Sequence, residues 1–188
     1  MTKIKVTKTS IEGLVIIEPK IFRDNRGYFT ETYNSSEFAE CGIDAVFVQD
    51  NQSHSSKGVL RGLHFQKNSP QGKLVRVISG TVLDVAVDLR ASSKTFGKWE
   101  SVILSGENML QFYIPEGFAH GFVVLSDEAT FTYKCTRLYD PTDEGGILWN
   151  DPELNIDWHL DGIDEVILSE KDKIRPTLAE SGFRFENL

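Results

Sequence analysis

The sequence predicts an all-β fold, a sandwich or a closed barrel built from many short strands. Over residues 45–140, apolar runs follow one another with turn residues between them, and helix signals are scarce. Regular spacing of short strands is typical of sandwiches and barrels, because closing the sheet protects its edges. The predicted strands are AVFVQ, VLRGLHF, LVRVIS, TVLDVAVDL, WESVILS, LQFYI, GFVVL and ATFTYKC.

The segment before residue 45 predicts a few elements that flank this β core. Residues 14–18 form an apolar run that Pro19 ends, and residues 24–27 contain the turn signals Asp-Asn and Gly. Residues 28–33 alternate again as a strand does. A short helix is predicted over residues 37–41, with Ser35 or Ser36 as its N-cap and Gly42 as its stop.

After Pro141 the composition changes to Asp, Gly and Pro, which predicts a loop-rich C-terminal tail that folds back on the core. Ser169 is expected to cap a short helix there. The apolar anchors of the tail are Ile147, Leu148, Trp149 and Trp158. Without a repeat or a linker, residues 1–188 are expected to form a single domain, with its β core at about residues 45–140.

Composition limits the partners and the compartment. The net charge of −8 argues against nucleic acid as a partner, although a few basic residues in one cleft could still bind an anionic small molecule. Cys41 and Cys135 have no CxxC spacing, which favours free thiols in a reducing compartment. The sequence has neither a signal-peptide core nor a run of about 20 apolar residues, so we expect a cytoplasmic protein.

Two stretches concentrate unusual polar residues. In residues 59–73, period-two alternation predicts that Arg61, Leu63 and Phe65 share one face of a strand. The opposite face is expected to carry Leu60, Gly62, His64 and Gln66. The second stretch, IPEGFAHGF at residues 114–122, places His120 between apolar residues. We predict that these two stretches form the floor of a ligand site.

The run TVLDVAVDL predicts a strand with two different faces. Leu83, Val85, Val87 and Leu89 form a continuous apolar face. The other face alternates Val82 and Ala86 with Asp84 and Asp88. We expect these two carboxylates to face solvent or a cavity.

The polar residues of these stretches suit one kind of chemistry. His64 can accept a proton near neutral pH, and Lys73 can neutralise an oxyanion. Together they suit removal of a proton next to a carbonyl, with the enolate oxygen held by Lys73. Tyr133 could return the proton from the opposite face, which would invert a stereocentre. The alternative is that His64 is a hydrogen-bonded core histidine.

Eight motifs in this order resemble the dTDP-4-dehydrorhamnose 3,5-epimerase family: VLRGLHFQ, QGKLVRV, DVAVDLR, TFGKW, IPEGFAHGF, YKCTRLYDP, ILWNDP and LSEKD. The resemblance covers about residues 18–172. It implies a cupin-type jelly-roll barrel and a homodimer, with no metal and no cofactor. It also implies 3,5-epimerisation of dTDP-4-dehydro-6-deoxy-D-glucose to dTDP-4-dehydro-L-rhamnose, on the route to dTDP-L-rhamnose.

The resemblance also implies roles for individual residues. The general base falls on His64, the proton donor on Tyr133, the acidic partner of the base on Asp172, and the lysine near the ketone on Lys73. Its substrate-binding positions fall on Arg26, Glu31, Gln49, Asp50, Asn51, Arg61, His120, Tyr139, Glu144 and Lys171. Tyr139 would stack near the thymine, and the arginines suit a diphosphate. His54 and His159 match no such position, and we expect them on the surface.

Three alternatives stay open. Metal-binding cupins use two histidines and a carboxylate in the first segment, whereas here Gln66 and Lys73 stand in two of these positions, a poor ligand set. The first alternative, a metal-dependent dioxygenase, is disfavoured by this ligand set. The second alternative is a non-enzymatic sugar-binding cupin. The third is a single-carbon epimerase, which would need the same catalytic residues. Arg26 and Arg61 could also be ordinary surface arginines.

Overall fold

Two β-sheets face each other and form a jelly-roll barrel of the cupin type, as predicted. The structure, a computed structural model, describes residues 4–188 of the chain. Its strands are β1 (Ile4–Lys8), β2 (Val15–Pro19), β3 (Ile21–Asp24), β4 (Gly27–Thr30), β5 (Gln49–Ser56), β6 (Leu60–Gln66), β7 (Lys73–Ser79), β8 (Thr81–Asp88), β9 (Trp99–Ser105), β10 (Gln111–Ile114), β11 (Phe118–Val124), β12 (Glu128–Cys135) and β13 (Glu144–Gly146). Its helices are α1 (Ser35–Glu40), α2 (Glu170–Lys173) and α3 (Leu178–Ser181).

The strand order separates the two walls of the barrel. One sheet has the order β1-β2-β10-β7-β12-β5, and the other has the order β13-β6-β11-β8-β9. Strands β3 and β4 form a separate hairpin. None of the helices within residues 4–188 has the length and apolar character needed to cross a membrane. The predicted single domain begins at residue 1, and residues 1–3 lie outside the described part of the chain.

Three apolar clusters stabilise this arrangement. The first fills the space between the sheets, where the rings of Phe122 and Phe131 stack at a centroid distance of 4.1 Å. The second packs the C-terminal tail, including Trp158, onto the outer face of the five-stranded sheet. The third packs Phe38 of α1 onto the outer face of the six-stranded sheet. The predicted anchoring role is therefore confirmed for Ile147, Trp149 and Trp158, whereas Leu148 joins none of the three clusters.

Strand β8 has the two faces that its alternation predicts. Val82 and Ala86 belong to the cluster between the sheets, while Leu83, Val85 and Val87 face the tail. The expectation for its carboxylates is corrected in part, because neither faces solvent. Asp84 and Asp88 are both fully buried. Such buried carboxylates require partners, which His120 provides for Asp84 and Arg90 for Asp88.

Some predicted elements are shifted or wrong. Residues 45–48 of the run AVFVQ are not in a strand: β5 begins only at Gln49, because its partner β12 ends at the opposing Cys135. Strand β13 forms inside the predicted tail loop, because β6 offers it a free edge. Asn34, not a serine, caps α1 through its side-chain oxygen. The predicted strand over residues 28–33 is shorter, since β4 ends at Thr30.

Candidate active site

A bulge in strand β6 decides which residues face the interior. Arg61 lies opposite Phe122, whereas His64 lies opposite His120, so β6 has one extra residue between these two pairs. Gly62 sits in this bulge, where an added Cβ would lie 2.5 Å from Gly121 Cα. The extra residue reverses the alternation, which corrects the predicted faces. Arg61, His64 and Gln66 line the cavity. Leu60, Leu63 and Phe65 belong to the cluster under the tail, and Leu60 and Phe65 also border the cavity.

The cavity lies between the two sheets and has a volume of about 670 Å³. It contains most of the predicted site residues: Gln49, Asn51, Arg61, His64, Lys73, His120, Tyr133, Tyr139, Glu144 and Asp172. Lys171 lies beside the cavity, with its Nζ 3.6 Å from Glu144 Oε2. Asp50 points away and pairs with Lys134 on the outside of the sheet.

Two predicted binding residues lie elsewhere in this chain. Arg26 is on the β3–β4 hairpin, exposed and hydrogen-bonded to Asp24. Glu31 follows the hairpin and accepts a hydrogen bond from Asn34 Nδ2 at 3.3 Å. Neither residue lines the central cavity, so the structure of one chain does not bring them to the other site residues.

His64 and Asp172 form a pair at the wall of the cavity. His64 Nε2 lies 2.6 Å from Asp172 Oδ1, and 35% of the His64 side chain is exposed against 3% of Asp172. Burial alone would raise the pKa of Asp172, but the hydrogen bond and charge of His64, with Ser169 and Arg175, lower it overall. Asp172 is therefore a carboxylate, which makes Nε2 the donor and leaves Nδ1 free to accept a proton.

A second pair lies deeper. His120 Nε2 is 2.9 Å from Asp84 Oδ2, and both residues are buried. Burial raises the pKa of Asp84 and lowers the pKa of His120, so the site disfavours charge on either residue. Lys73 lies beside them on β7. Burial also lowers the pKa of Lys73, although the charges of Cys135 and Asp84 partly offset this.

Tyr133 stands on the wall opposite His64. His64 comes from β6 in the five-stranded sheet, whereas Tyr133 comes from β12 in the six-stranded sheet. Burial raises the pKa of Tyr133, and the neighbouring Cys135 raises it further. The phenol therefore keeps its proton near neutral pH. The cavity thus has a proton acceptor on one wall and a proton donor on the other.

The mouth of the cavity is organised around Glu144. Tyr139 donates its hydroxyl hydrogen to Glu144 Oε2 at 2.7 Å and its backbone N–H to Gln49 Oε1 at 2.9 Å. Arg175 contacts the other carboxylate oxygen of Glu144. The ring of Tyr139 is half exposed, so it presents an aromatic surface where a base could stack.

Gln66, in the position of a cupin metal ligand, is used otherwise. Its Nε2 donates to the carbonyl oxygens of Ser69 and Leu138 at 2.8 and 3.3 Å. Its Oε1 accepts from the Asp140 N–H at 2.6 Å. The amide therefore holds the loop that carries Tyr139. No cluster of three His, Cys, Asp or Glu side chains in residues 4–188 could hold a metal ion, and the expected absence of a metal stays a prediction.

Two residues of the site were not predicted. Asp84 was recognised only as a carboxylate on one face of a strand, and its partner His120 is 36 residues away. Arg175 carries no sequence signal, because its importance comes from contacts with β13 and α2. Predicted surface positions are confirmed for His54 and His159, whose side chains are 59% and 47% exposed.

Comparison with known proteins identifies the family. The family model described as dTDP-4-dehydrorhamnose 3,5-epimerase matches residues 8–180. The chain belongs to the dTDP-4-dehydrorhamnose 3,5-epimerase family. A family member from Methanothermobacter thermautotrophicus is 55% identical over 96% of this chain and 98% of its own length.

Solved structures of this family superpose closely on the chain. A 3,5-epimerase from Legionella pneumophila, crystallised with dTDP-4-keto-L-rhamnose, is 54% identical with a TM-score of 0.91, covering 94% of this chain and 93% of that one. A 3'-monoepimerase from Streptomyces bikiniensis with bound dTDP-quinovose is 38% identical with a TM-score of 0.86, covering 93% and 88%. The fold is thus shared by enzymes that invert two centres and by one that inverts a single centre.

Proposed function

We propose that the protein epimerises dTDP-4-dehydro-6-deoxy-D-glucose at carbons 3 and 5 and gives dTDP-4-dehydro-L-rhamnose for dTDP-L-rhamnose formation. One observation carries the proposal: a proton acceptor and a proton donor face each other across a single cavity. Membership of the family supports the same substrate, and so does a sequence identity of 54–55% to 3,5-epimerases.

The first step is removal of a proton next to the ketone. His64 Nδ1 accepts the hydrogen of carbon 3 or carbon 5, while Nε2 stays bound to Asp172. The Asp172 carboxylate fixes the tautomer and stabilises the imidazolium that forms. The electron pair of the broken C–H bond moves onto the ketone oxygen and gives an enolate.

The enolate is held by the floor of the cavity. The Lys73 side chain makes no hydrogen bond or ion pair within the described part of the chain, so its ammonium is available to the substrate oxygen. In a buried site such a cation is worth far more than in water. The ring of His120, held by Asp84, adds a polar contact to the sugar.

The last step is return of a proton on the opposite face. Tyr133 donates its hydroxyl hydrogen to the same carbon from the six-stranded wall, which inverts the centre. The phenolate then regains a proton, His64 loses one, and the cycle repeats at the second carbon. No net redox change occurs, so the reaction consumes no cofactor.

The nucleotide part is assigned to the mouth. Arg61 is a diphosphate contact, because its guanidinium fork matches phosphate oxygens. Gln49, Asn51, Tyr139, Glu144 and Lys171 surround the base and its sugar. The Asp50 carboxylate pairs with Lys134 and does not line the cavity. Its proposed binding role therefore rests on its position between Gln49 and Asn51, which do line the cavity.

A homodimer would account for Arg26 and Glu31. The β3–β4 hairpin exposes three aromatic rings: Phe22, Tyr28 and Phe29 are 43%, 57% and 67% exposed. We propose that a second copy covers this hairpin and receives Arg26 and Glu31 in its cavity. Light scattering should then give about twice the chain mass of 21.2 kDa, and a monomer would contradict the proposal.

Mixed dimers test whether Arg26 acts on the second copy. His64→Ala and Arg26→Ala chains should each be inactive or weak alone. If Arg26 acts across the dimer, mixing them creates one site with both native residues, and activity returns. If Arg26 acts within its own chain, every site keeps one defect and mixing restores nothing.

Deuterium wash-in tests the activity itself. Wild-type protein in D₂O should introduce one deuteron at carbon 3 and one at carbon 5 of dTDP-4-dehydro-6-deoxyglucose, with inversion at both. Tyr133→Phe should leave wash-in largely intact while net inversion falls. Deuterium at one carbon only would support the single-carbon epimerase instead, and no deuterium would refute both. We also propose a cytoplasmic location, since the free thiols of Cys41 and Cys135 suit a reducing compartment.

A further inference from the structure

Arg175 lies between two carboxylates of the cavity, just after helix α2. Its Nη2 contacts Glu144 Oε1 on β13. Its Nε is 4.0 Å from Asp172 Oδ1, the oxygen that also accepts from His64. The Arg175 side chain is only 17% exposed, so these interactions are poorly screened by water. One guanidinium therefore bridges the mouth of the cavity and the His64–Asp172 pair.

Gly146 makes room for this bridge. It is the cross-strand partner of His64, and an added Cβ at Gly146 would lie 2.6 Å from Arg175 Nε. A side chain at this position would displace the guanidinium. The missing Cβ therefore lets Arg175 lie directly against the strand pair that carries the proposed base.

The Nε of Arg175 is buried and has no hydrogen-bond partner among the described residues. Two contacts hold the guanidinium: Nη2 donates a hydrogen bond to Glu144, and Nε has a charge interaction with Asp172 that at 4.0 Å is too long for a hydrogen bond. A planar guanidinium directs one nitrogen at each carboxylate, a geometry that the single ammonium of lysine lacks.

We infer that Arg175 is a positioning residue that couples nucleotide recognition at Tyr139 and Glu144 to the orientation of the His64–Asp172 pair. The inference rests on the proposed function. The connection runs from the Tyr139 hydroxyl to Glu144, then through the guanidinium to Asp172, and then to His64. Arg175 should therefore affect both the affinity for dTDP and the rate of proton removal.

A double-mutant cycle tests this coupling. dTDP affinity is measured by calorimetry, and deuterium wash-in is measured at saturating substrate, for Arg175→Met, Glu144→Gln and the double variant. Arg175→Met should weaken dTDP binding and slow saturated wash-in roughly 10- to 100-fold. Glu144→Gln should slow wash-in in the wild-type background but not further in Arg175→Met, because its effect passes through Arg175.

Lys173→Met is the matched control. It removes a cation from helix α2, two residues before Arg175, and within residues 4–188 its exposed ammonium pairs with Glu170. It should keep wild-type affinity and wash-in. Arg175→Lys keeps the charge without the fork, so it should fold normally and restore dTDP affinity or wash-in, but not both.

Several results would overturn the inference. One is a folded Arg175→Met protein whose deuterium wash-in at saturating substrate equals that of wild type. Another is a double variant whose fold-reduction in wash-in equals the product of the two single-variant reductions, which would show that the two residues act independently. If Arg175→Met does not unfold cooperatively in a thermal scan, Arg175→Lys decides: wild-type values for both quantities refute the coupling. Absence of wash-in by wild-type protein would instead refute the proposed function.

Discussion

The site contains two Asp–His pairs whose histidines lie on adjacent strands, and the pairs differ in environment. His64 and His120 are direct cross-strand partners, and each binds a carboxylate through Nε2, at 2.6 and 2.9 Å. The His64 side chain is 35% exposed to the cavity, whereas that of His120 is 8% exposed. The pKa of Asp172 is lowered, while that of Asp84 is raised.

This difference shows that the same two residue types can have different roles on neighbouring strands of one site. Asp172 keeps its charge because hydrogen bonds and nearby cations outweigh its burial, so His64 has a carboxylate partner and an open Nδ1. Asp84 lies where burial dominates, so its pair with His120 disfavours charge. The first pair suits proton transfer, and the second suits holding the sugar beside Lys73.

The largest expected effect separates the two histidines. His64→Ala should slow deuterium wash-in by about 10²- to 10⁴-fold, because the general base is lost. His120→Ala should slow it only about tenfold, because one polar contact is lost. His54→Ala, on the outer surface, controls for loss of an imidazole. Equal losses for His64→Ala and His120→Ala would show that the two pairs share one role.

A somewhat smaller effect is expected at Lys73. Lys73→Met should lower kcat by roughly 10²- to 10³-fold, because the enolate loses its cation. Burial lowers the pKa of Lys73, so wild-type activity should fall as pH rises through this lowered value, earlier than for an ordinary lysine. Lys94→Met, an exposed lysine, is the control. A wild-type rate that stays constant up to the ordinary lysine pKa would contradict this role.

The smallest effect concerns stability, and its sign differs between the pairs. The folded pKa of Asp172 is lowered, so its contribution is present above the unfolded pKa and is lost as pH falls through the folded pKa. The folded pKa of Asp84 is raised, so its contribution is present below the unfolded pKa and is lost as pH rises through the folded pKa.

Thermal unfolding at several pH values measures this contrast. Asp172→Asn should lower Tm at pH 7 by about 2–4 °C for each kcal/mol lost, and the deficit should shrink near about pH 3. The Tm of Asp84→Asn relative to that of wild type should be higher at pH 7 than at low pH. Asp161→Asn corrects for loss of an exposed charge. Deficits with the same pH dependence would remove the distinction between the pairs.

Sequence patterns predicted the faces of a strand best where the strand is paired without a bulge along its whole length. Strand β8 kept its predicted faces, because it is paired on both sides along its length. Strand β6 did not, since the bulge opposite Gly121 adds one residue and places Arg61 on the same face as His64 and Gln66. The strand predicted from AVFVQ was wrong for residues 45–48, because residues with high strand propensity do not form a strand where no neighbouring strand pairs with them.

Local patterns along the chain were sufficient to predict the all-β class, the family, and the residue types that can move a proton beside a ketone, because alternation and ordered motifs are local properties of the chain. The wall that each residue occupies, the pairing of Asp84 with His120 and the bridge from Arg175 to two carboxylates depend on how the chain folds. The pairs His64–Asp172, Asp84–His120 and Glu144–Arg175 are 108, 36 and 31 positions apart, and such contacts depend on register and closure rather than on neighbouring residues.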